Sequence, residues 1–351
     1  MDKKYIGLDV HGASTTMVVL NDQGKLVHEA VMQTSGPELR SSIGSIRGSK
    51  ELTLEEGTMS AWLYGLLRPL VSKLIVCDPA ENRKIFRGAK NDHKDALHLA
   101  ELLRGGYLKP VFHDTHPMEE LRSTLRTYLQ VTEDLVRSKN RLKALFRSRG
   151  VQTGSAVYCE DQREVYLSQL DRSMDRERAL YLYEQIDFLE GQKERSGKEL
   201  VSRAKKDKGF KILKSIPGLG PIQAAKVLGI GVTPERFRTR RLFWSYCGLS
   251  VIKRSSSDWV QGQQGLELRR HEQVRGLNPC RNGVMKEVFK QAAVKAIQRP
   301  PFEQLYQRMI DRGLDPSIAR VAVARKVAAV TLTLWKKGEL FDTSKIEVPT
   351  S

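Results

Sequence analysis

The sequence predicts an α/β + α protein: an N-terminal α/β domain, a central pair of long helices and a C-terminal, mainly helical domain. Three observations predict it. Short alternating apolar runs separated by turn residues fill roughly the first hundred positions. Leu121, Leu125, Leu129, Leu135, Leu142 and Leu145 then recur at helical spacing. From Phe210 to about Leu340 the helical pattern returns, interrupted by a polar insertion between Lys253 and Asn278. The resulting division is 1–115, 116–207, 208–340 and a tail at 341–351, expected to fray.

Within the first domain, Tyr5–Val10, Thr15–Leu20 and Lys25–Met32 read as strands joined at His11-Gly12 and at Asn21-Asp22-Gln23-Gly24. Such tight connections predict an antiparallel meander. A polar stretch follows. Glu51–Leu54 then reads as a fourth strand, Ser60–Ser72 as a helix, Lys73–Cys77 as a buried fifth strand closed by Asp78-Pro79, and Asn91–Arg104 as a helix. The order resembles that of an RNase H-like domain, with one early helix–strand step merged or shortened.

In the central region Arg122, Arg126, Arg137, Lys139, Arg141, Lys143, Arg147 and Arg149 line the faces that the leucines leave. A second helical region runs from about Asp161 to Lys205, past a loop at Gln152–Ser155. Two readings stand together: a solvated, salt-bridged helix pair, and a coiled-coil arm for dimerisation or for tracking a nucleic-acid backbone.

Charge narrows the function. The 351 residues carry 59 Lys and Arg against 41 Asp and Glu, so the formal net charge is 59 − 41 = +18. A field of that size concentrates polyanions, which points to nucleic acid and leads us to expect Arg137 and Arg141 among its contacts. Cys77, Cys159, Cys247 and Cys280 form no CxxC pair, which argues against a zinc ribbon or a disulfide framework. No apolar run reaches the ~18 residues that cross a bilayer, and MDKKYIGLDVHG has no signal-peptide core. A cytoplasmic protein is expected.

Asp9 ends the first strand (IGLDVHG), Glu55 and Glu56 end the fourth (LTLEEGT), and Asp92 and Asp95 open a helix (AKNDHKDALHLAELL). Each acid stands where apolar periodicity stops, so all can reach one sheet edge, and residues three apart share a helix face. Converging carboxylates repel unless a cation lies among them. Mg²⁺ takes oxygen ligands, and a pair of such ions can serve both oxygens of a phosphodiester displacement. Taken singly, Asp92 could instead cap its helix and Asp95 could favour the helix dipole.

The order Asp9, Glu55, Asp92, Asp95, together with GLDVH and the K-x-D-x-x-D-A segment, resembles the DEDD transposases of the insertion sequence one-ten family, which includes pilin-gene invertases. The resemblance implies a RuvC-like N-terminal domain with those four acids as metal ligands. Glu55 rather than Glu56 matches by its distance from Gly57.

The second half carries IPGLGPIQAA, in which Gly218 and Gly220 precede a helix at Ile222–Gly229. Exposed N–H groups there suit a phosphate, although such a turn also serves as a plain connector. The string resembles the C-terminal domain of the same family. Further on, SYCGLSVIKRSSSDW resembles the segment that holds the family's nucleophilic serine; the match falls on Ser256, with Ser255 and Ser257 as neighbours in register. Ser250-Val251 replaces the usual apolar-Pro pair, and Ser257 stands where glycine is common.

A serine hydroxyl needs activation, and Lys253, Arg254, Arg269 and Arg270 could neutralise a phosphate beside it. The segment from Ser255 to Arg275, with Trp259, reads as a loop that orders on nucleic acid, or as an exposed linker. Asn282 reads as a helix N-cap. The resemblance implies a DNA transposase or site-specific recombinase, a composite site between protomers, a dimer or tetramer, and a noncoding bridge RNA that selects DNA. Two other readings are a metal-dependent, RuvC-like nuclease or junction resolvase that hydrolyses DNA with water, and an architectural nucleic-acid-binding protein.

Overall fold

The computed structural model describes residues 3–80, 82, 91–113, 118–262, 265–279 and 281–343, with the backbone alone described within 253–275. Cys280 and most of the tail lie outside them. The chain divides into two compact units, 1–116 and 117–351.

The first unit is built on a six-stranded sheet, in the order β3-β2-β1-β4-β5-β6. Strands β1 (Lys3–Val10), β2 (Ser14–Leu20) and β3 (Leu26–Gln33) form the expected antiparallel meander, while β4 (Ser49–Glu55) and β5 (Lys73–Cys77) continue it in parallel with β1. The two-residue β6 (Pro110–Val111) closes the edge against β5.

Between β3 and β4 stands a helix, α1 (Gly36–Ser45), where the sequence reading has only a polar stretch and a merged step. Its signals are Pro37 in the first turn, where a missing N–H costs nothing, and Leu39 and Ile43 one turn apart, both buried. No step is missing from the element order. Helix α2 (Ser60–Leu67) ends sooner than read, passing into a short 3₁₀ turn at Arg68–Leu70.

Strand alternation divides the core. Ile6, Leu8, Met17, Leu52 and Leu54 face α1 and α2, packing with Leu39, Ile43, Leu63 and Leu67. Val18 and Leu20 face the other way, onto Ala96 and Ala100 of α3 (Asp92–Gly105). Leu99, Leu102 and Leu103 of α3 close over Cys77. The unit is therefore three-layered, with α1 and α2 on one face of the sheet and α3 on the other.

The second unit begins with α4 (Glu119–Arg147), a short α5 (Arg163–Leu167) and α6 (Ser173–Ala204). The two long helices run antiparallel: Arg203 bonds Glu120 near one end, Ser138 Oγ meets Gln185 Oε1 at 3.1 Å, and Arg149 grips Asp175 at 2.7 and 3.2 Å at the other. Leu121, Leu125, Tyr128, Leu135, Leu142 and Leu145 form the buried stripe of α4. Tyr128 takes the place expected for Leu129. At the far end Phe146, Val157, Leu167, Leu170, Ala179 and Tyr183 make a small core of their own.

Helices α7 (Lys208–Ser215), α8 (Pro221–Gly231), α9 (Arg240–Tyr246), α10 (Gly283–Ala296), α11 (Phe302–Asp311) and α12 (Pro316–Lys337) complete this unit. The stretch read as a loop or linker is instead an antiparallel hairpin of β7 (Val251–Gly262) and β8 (Gly265–Leu277). Its sequence is mostly polar and charged, with only short apolar alternation at Leu266 and Leu268, and the two strands pair from Val251 opposite Leu277 to Gly262 opposite Gly265. Among the described residues no helix is long and apolar enough to cross a membrane.

Candidate metal centre

The site follows from one glycine. Gly7 lies on the face of β1 that α3 covers, and a Cβ there would stand 2.1 Å from the carbonyl oxygen of Ala96 and 2.7 Å from the amide nitrogen of Ala100. Its missing side chain lets the helix lie directly on the strand. Ile6 and Leu52, and Leu8 and Leu54, are register partners across the parallel pair. The next residue of each strand, Asp9 and Glu55, therefore emerges at the same C-terminal sheet edge, on the face of Gly7 and Thr53 that α3 covers.

Asn91 caps α3, its Oδ1 accepting from the His93 amide at 3.0 Å. The capping role open to Asp92 is thus filled by its neighbour, and Asp92 and Asp95 occupy the first turn. Asp92 Oδ1 lies 3.6 Å from His11 Nε2, and that nitrogen lies 3.2 Å from Asp9 Oδ2. Asp9, His11 and Asp92 each offer a ligand atom within 4.8 Å of the other two. Burial pushes the Asp9 carboxyl above its usual range; His11 opposes the shift, while the charges of Asp92 and Asp95 add to it.

The two adjacent glutamates have different partners. Glu55 Oε1 accepts from Asn82 Nδ2 at 3.0 Å, and the same amide lies 3.1 Å from Cys77 Sγ. Burial raises the Cys77 thiol. Glu56 Oε2 lies 2.5 Å from Nε2 of His113, whose ring packs against Tyr64. The structure thus brings Asp9 and Asp92 together around His11, places Asp95 within their electrostatic reach, and sets Glu55 at the same edge, held by Asn82.

Sequence reasoning missed His11, Asn82 and His113 as parts of this surrounding. His11 was legible, standing two residues after a strand-end aspartate; Asn82 and His113 reach the glutamates only through the fold. The donors present are carboxylate oxygens and one imidazole nitrogen beside a carboxylate that resists ionisation. They suit a divalent cation.

In the second unit Gly218 has φ +88°, and a Cβ there would meet the carbonyl oxygen of Ala292 at 2.2 Å, so packing against α10 alone requires glycine. Gly220 is the N-cap position of α8. Arg137 pairs with Asp134 at 3.1 Å and Glu133 at 3.7 Å on its own helix, and Arg141 is exposed. Ser256 lies opposite His271 in the hairpin ladder, Ser257 opposite Arg270, Asp258 opposite Arg269 and Arg254 opposite Gln273. The side chains of Lys253, Arg254, Ser256, Arg269 and Arg270 lie outside what is described.

The hairpin springs from a fixed base. Arg325 Nε donates to Leu249 O at 2.6 Å, and the Asn278 amide donates to Ser250 O at 2.9 Å. Asn282 caps α10 as expected, accepting from the Met285 amide at 3.0 Å.

Comparison with known proteins gives this geometry a family. Residues 6–149 match a DEDD family model described as Transposase, and residues 210–307 match one described as Transposase IS116/IS110/IS902 family. The chain belongs to this family of transposases, the insertion sequence one-ten family. It is also similar to a protein of Sinorhizobium fredii that bears the name transposase y4qE, being 26% identical over 152 residues. That alignment covers 42% of this chain and 39% of the relative.

Proposed function

We propose that this protein is a DNA transposase or site-specific recombinase in which Asp9, Glu55, Asp92 and Asp95 form a metal-binding centre and Ser256 is the nucleophile. The observation that carries the reading is the meeting of Asp9 and Asp92, from strand and helix, at one edge of a sheet ordered 3-2-1-4-5-6, whose five longer strands run 3-2-1-4-5. This order, with three antiparallel strands and two parallel ones, supports the RNase H-like, RuvC-like assignment, and the antiparallel α4–α6 pair supports a coiled-coil arm.

A divalent cation, Mg²⁺ in this reading, supplies Lewis acidity toward a phosphodiester oxygen when bound. The protein's part is to hold the acids. Gly7 seats α3, Asn91 caps it and leaves Asp92 free, and Asn82 orients Glu55. In the second half of the mechanism the Ser256 hydroxyl loses its proton and bonds to phosphorus. A strand oxygen leaves as a hydroxyl, and the phosphoserine link conserves the bond for rejoining. Lys253, Arg254, Arg269 and Arg270 offset the charge on the phosphate, while Gly218, Gly220, Arg137 and Arg141 contribute contacts to nucleic acid. The serine role and the bridge RNA come from the family resemblance, and the cytoplasmic site of action from the sequence pattern, which holds no signal-peptide core and no bilayer-length apolar run.

The chain acts as a homo-oligomer in this reading. Met174, Tyr181 and Phe188 recur every seventh residue on α6 and are 71%, 61% and 61% exposed. They point away from the stripe of Ala179, Tyr183 and Ile186 that packs with α4. In an antiparallel pairing of two α6 helices centred on Tyr181, Met174 meets Phe188 and Arg178 meets Glu184, so apolar and charged contacts are satisfied together.

The test is metal-dependent strand cleavage of DNA bearing the ends of the protein's own element, with any co-purifying RNA retained. Cleavage by the wild type that disappears in Asp9→Ala and in Asp92→Ala supports the reading. Full cleavage by either variant contradicts it, and DNA binding without any cleavage favours an architectural protein.

A further inference from the structure

We propose that His11 is itself a ligand of the cation bound by Asp9 and Asp92, making the centre a mixed nitrogen–oxygen site that favours first-row transition cations over Mg²⁺ more than the acids alone would. The inference rests on the reading of those acids as metal ligands and adds a nitrogen donor beside Asp9 and Asp92 to a centre otherwise made of carboxylates.

Three observations carry it. First, Nε2 of His11 stands between the acids, 3.2 Å from Asp9 Oδ2 and 3.6 Å from Asp92 Oδ1. Neighbouring ligands of an octahedral ion with bonds of ~2.1 Å are separated by roughly 3 Å, and opposite ligands by about 4.2 Å. Small rotations of three side chains bring all the donors onto one ion.

Second, the backbone that carries the imidazole is anchored. The His11 amide donates to Ser14 O at 2.9 Å, and the His11 carbonyl accepts from Thr34 Oγ1 at 2.9 Å. Thr34 Oγ1 is itself 2.9 Å from Thr15 Oγ1 on β2. The turn is thus held from β2 and from the residue that follows β3, and the ring is presented at the sheet edge where β1 ends just after Asp9.

Third, two other histidines of the first unit lie against other acids. His113 pairs with Glu56, and His93 Nδ1 lies 2.7 Å from Glu29 Oε1. His11 alone of the three faces Asp9 and Asp92.

The chemistry follows from donor type. Mg²⁺ dehydrates reluctantly and prefers oxygen, whereas imidazole strengthens binding along the series from Mn²⁺ to Cu²⁺. A site of two carboxylates and one imidazole therefore gains more for Mn²⁺ or Co²⁺ than for Mg²⁺.

The test uses Mn²⁺ bound to the full chain, read by pulsed electron paramagnetic resonance for coupling to a directly bonded ¹⁴N, beside Mn²⁺ and Mg²⁺ titrations. Wild type, His11→Ala, His11→Asn and Asp9→Asn are compared, with circular dichroism as the control for folding. Expected are a ¹⁴N coupling in the wild type, its loss in both His11 variants, and a fall in their Mn²⁺-over-Mg²⁺ preference of about tenfold, the lower end of what even outer-sphere partners contribute.

Bound Mn²⁺ without ¹⁴N coupling, or a coupling that survives His11→Ala, overturns the proposal and leaves the carboxylate centre standing. Absence of Mn²⁺ binding by the wild type, or unchanged binding in Asp9→Asn, overturns the carboxylate reading and this inference together.

Discussion

Gly7 and Ala96 meet so closely that a Cβ on the glycine would stand 2.1 Å from the alanine's carbonyl oxygen. The contact is backbone to backbone, so no side-chain rotation relieves it, and the helix itself has to move. Gly7→Ala is expected to destabilise the first unit by about 1–3 kcal/mol, the usual range for overpacking a core. It should also carry the first turn of α3 away from β1, so that metal-dependent cleavage falls further than the loss of folded protein accounts for. Thermal unfolding and cleavage measured on the same preparations check both effects.

Asp9 is held above the ordinary carboxylate range by burial and by the neighbouring acids. A carboxylate whose folded-state affinity for protons exceeds its unfolded one costs stability above its folded pKa, and the cost disappears as pH falls through that pKa. Asp9→Asn should therefore raise the melting temperature of the metal-free protein at neutral pH, with the gain shrinking as the solution is acidified. The same variant should lose the added stability that a divalent cation gives the wild type. Melting scans across pH, with and without Mg²⁺, separate the two effects.

Asp175 shows the opposite sign. The Arg149 guanidinium, bonded to both its oxygens at 2.7 and 3.2 Å, holds its carboxyl below the usual range. Its contribution to stability is present above the unfolded pKa, about 3.9 for aspartate, and is lost as pH falls through the folded value. Asp175→Asn should lower the melting temperature at pH 7 and converge on the wild type in acid. A constant difference across that window would show that the ion pair is not the cause.

The exposed line of Met174, Tyr181 and Phe188 gives a third kind of test. A single exposed apolar residue is ordinary, but three in register on one helix make a seam. Tyr181→Glu, or Phe188→Glu, should reduce the mass observed in solution by light scattering without changing the helical content. Unchanged assembly in the double variant would remove α6 from the interface.

Much of this fold was legible in the sequence, and the exceptions have physical causes. Strand Lys73–Cys77 is apolar and mostly buried from Leu74 onward, and its predicted bounds are those observed. Helix α1 escaped because Leu39 and Ile43 alone contact the core while eight polar or small residues surround them. The hairpin escaped because its sequence is dominated by charged and polar residues, with few apolar ones from which a strand could be read. Asp9, Asp92 and Asp95 stood out as acids at the ends of apolar patterns. Their partners did not: Asn82 reaches Glu55, and His113 reaches Glu56 from 57 residues away, only after the chain has folded.

Trapping a covalent protein–DNA adduct tests the central claim most directly. Labelled DNA from the element's ends is incubated with Mg²⁺ and wild type, Ser256→Ala or Asp9→Ala, and resolved on denaturing gels. The account predicts an adduct with the wild type that is missing from both variants. Free cut ends without an adduct, surviving Ser256→Ala and lost in Asp9→Ala, would contradict it and leave a nuclease or junction resolvase that uses water.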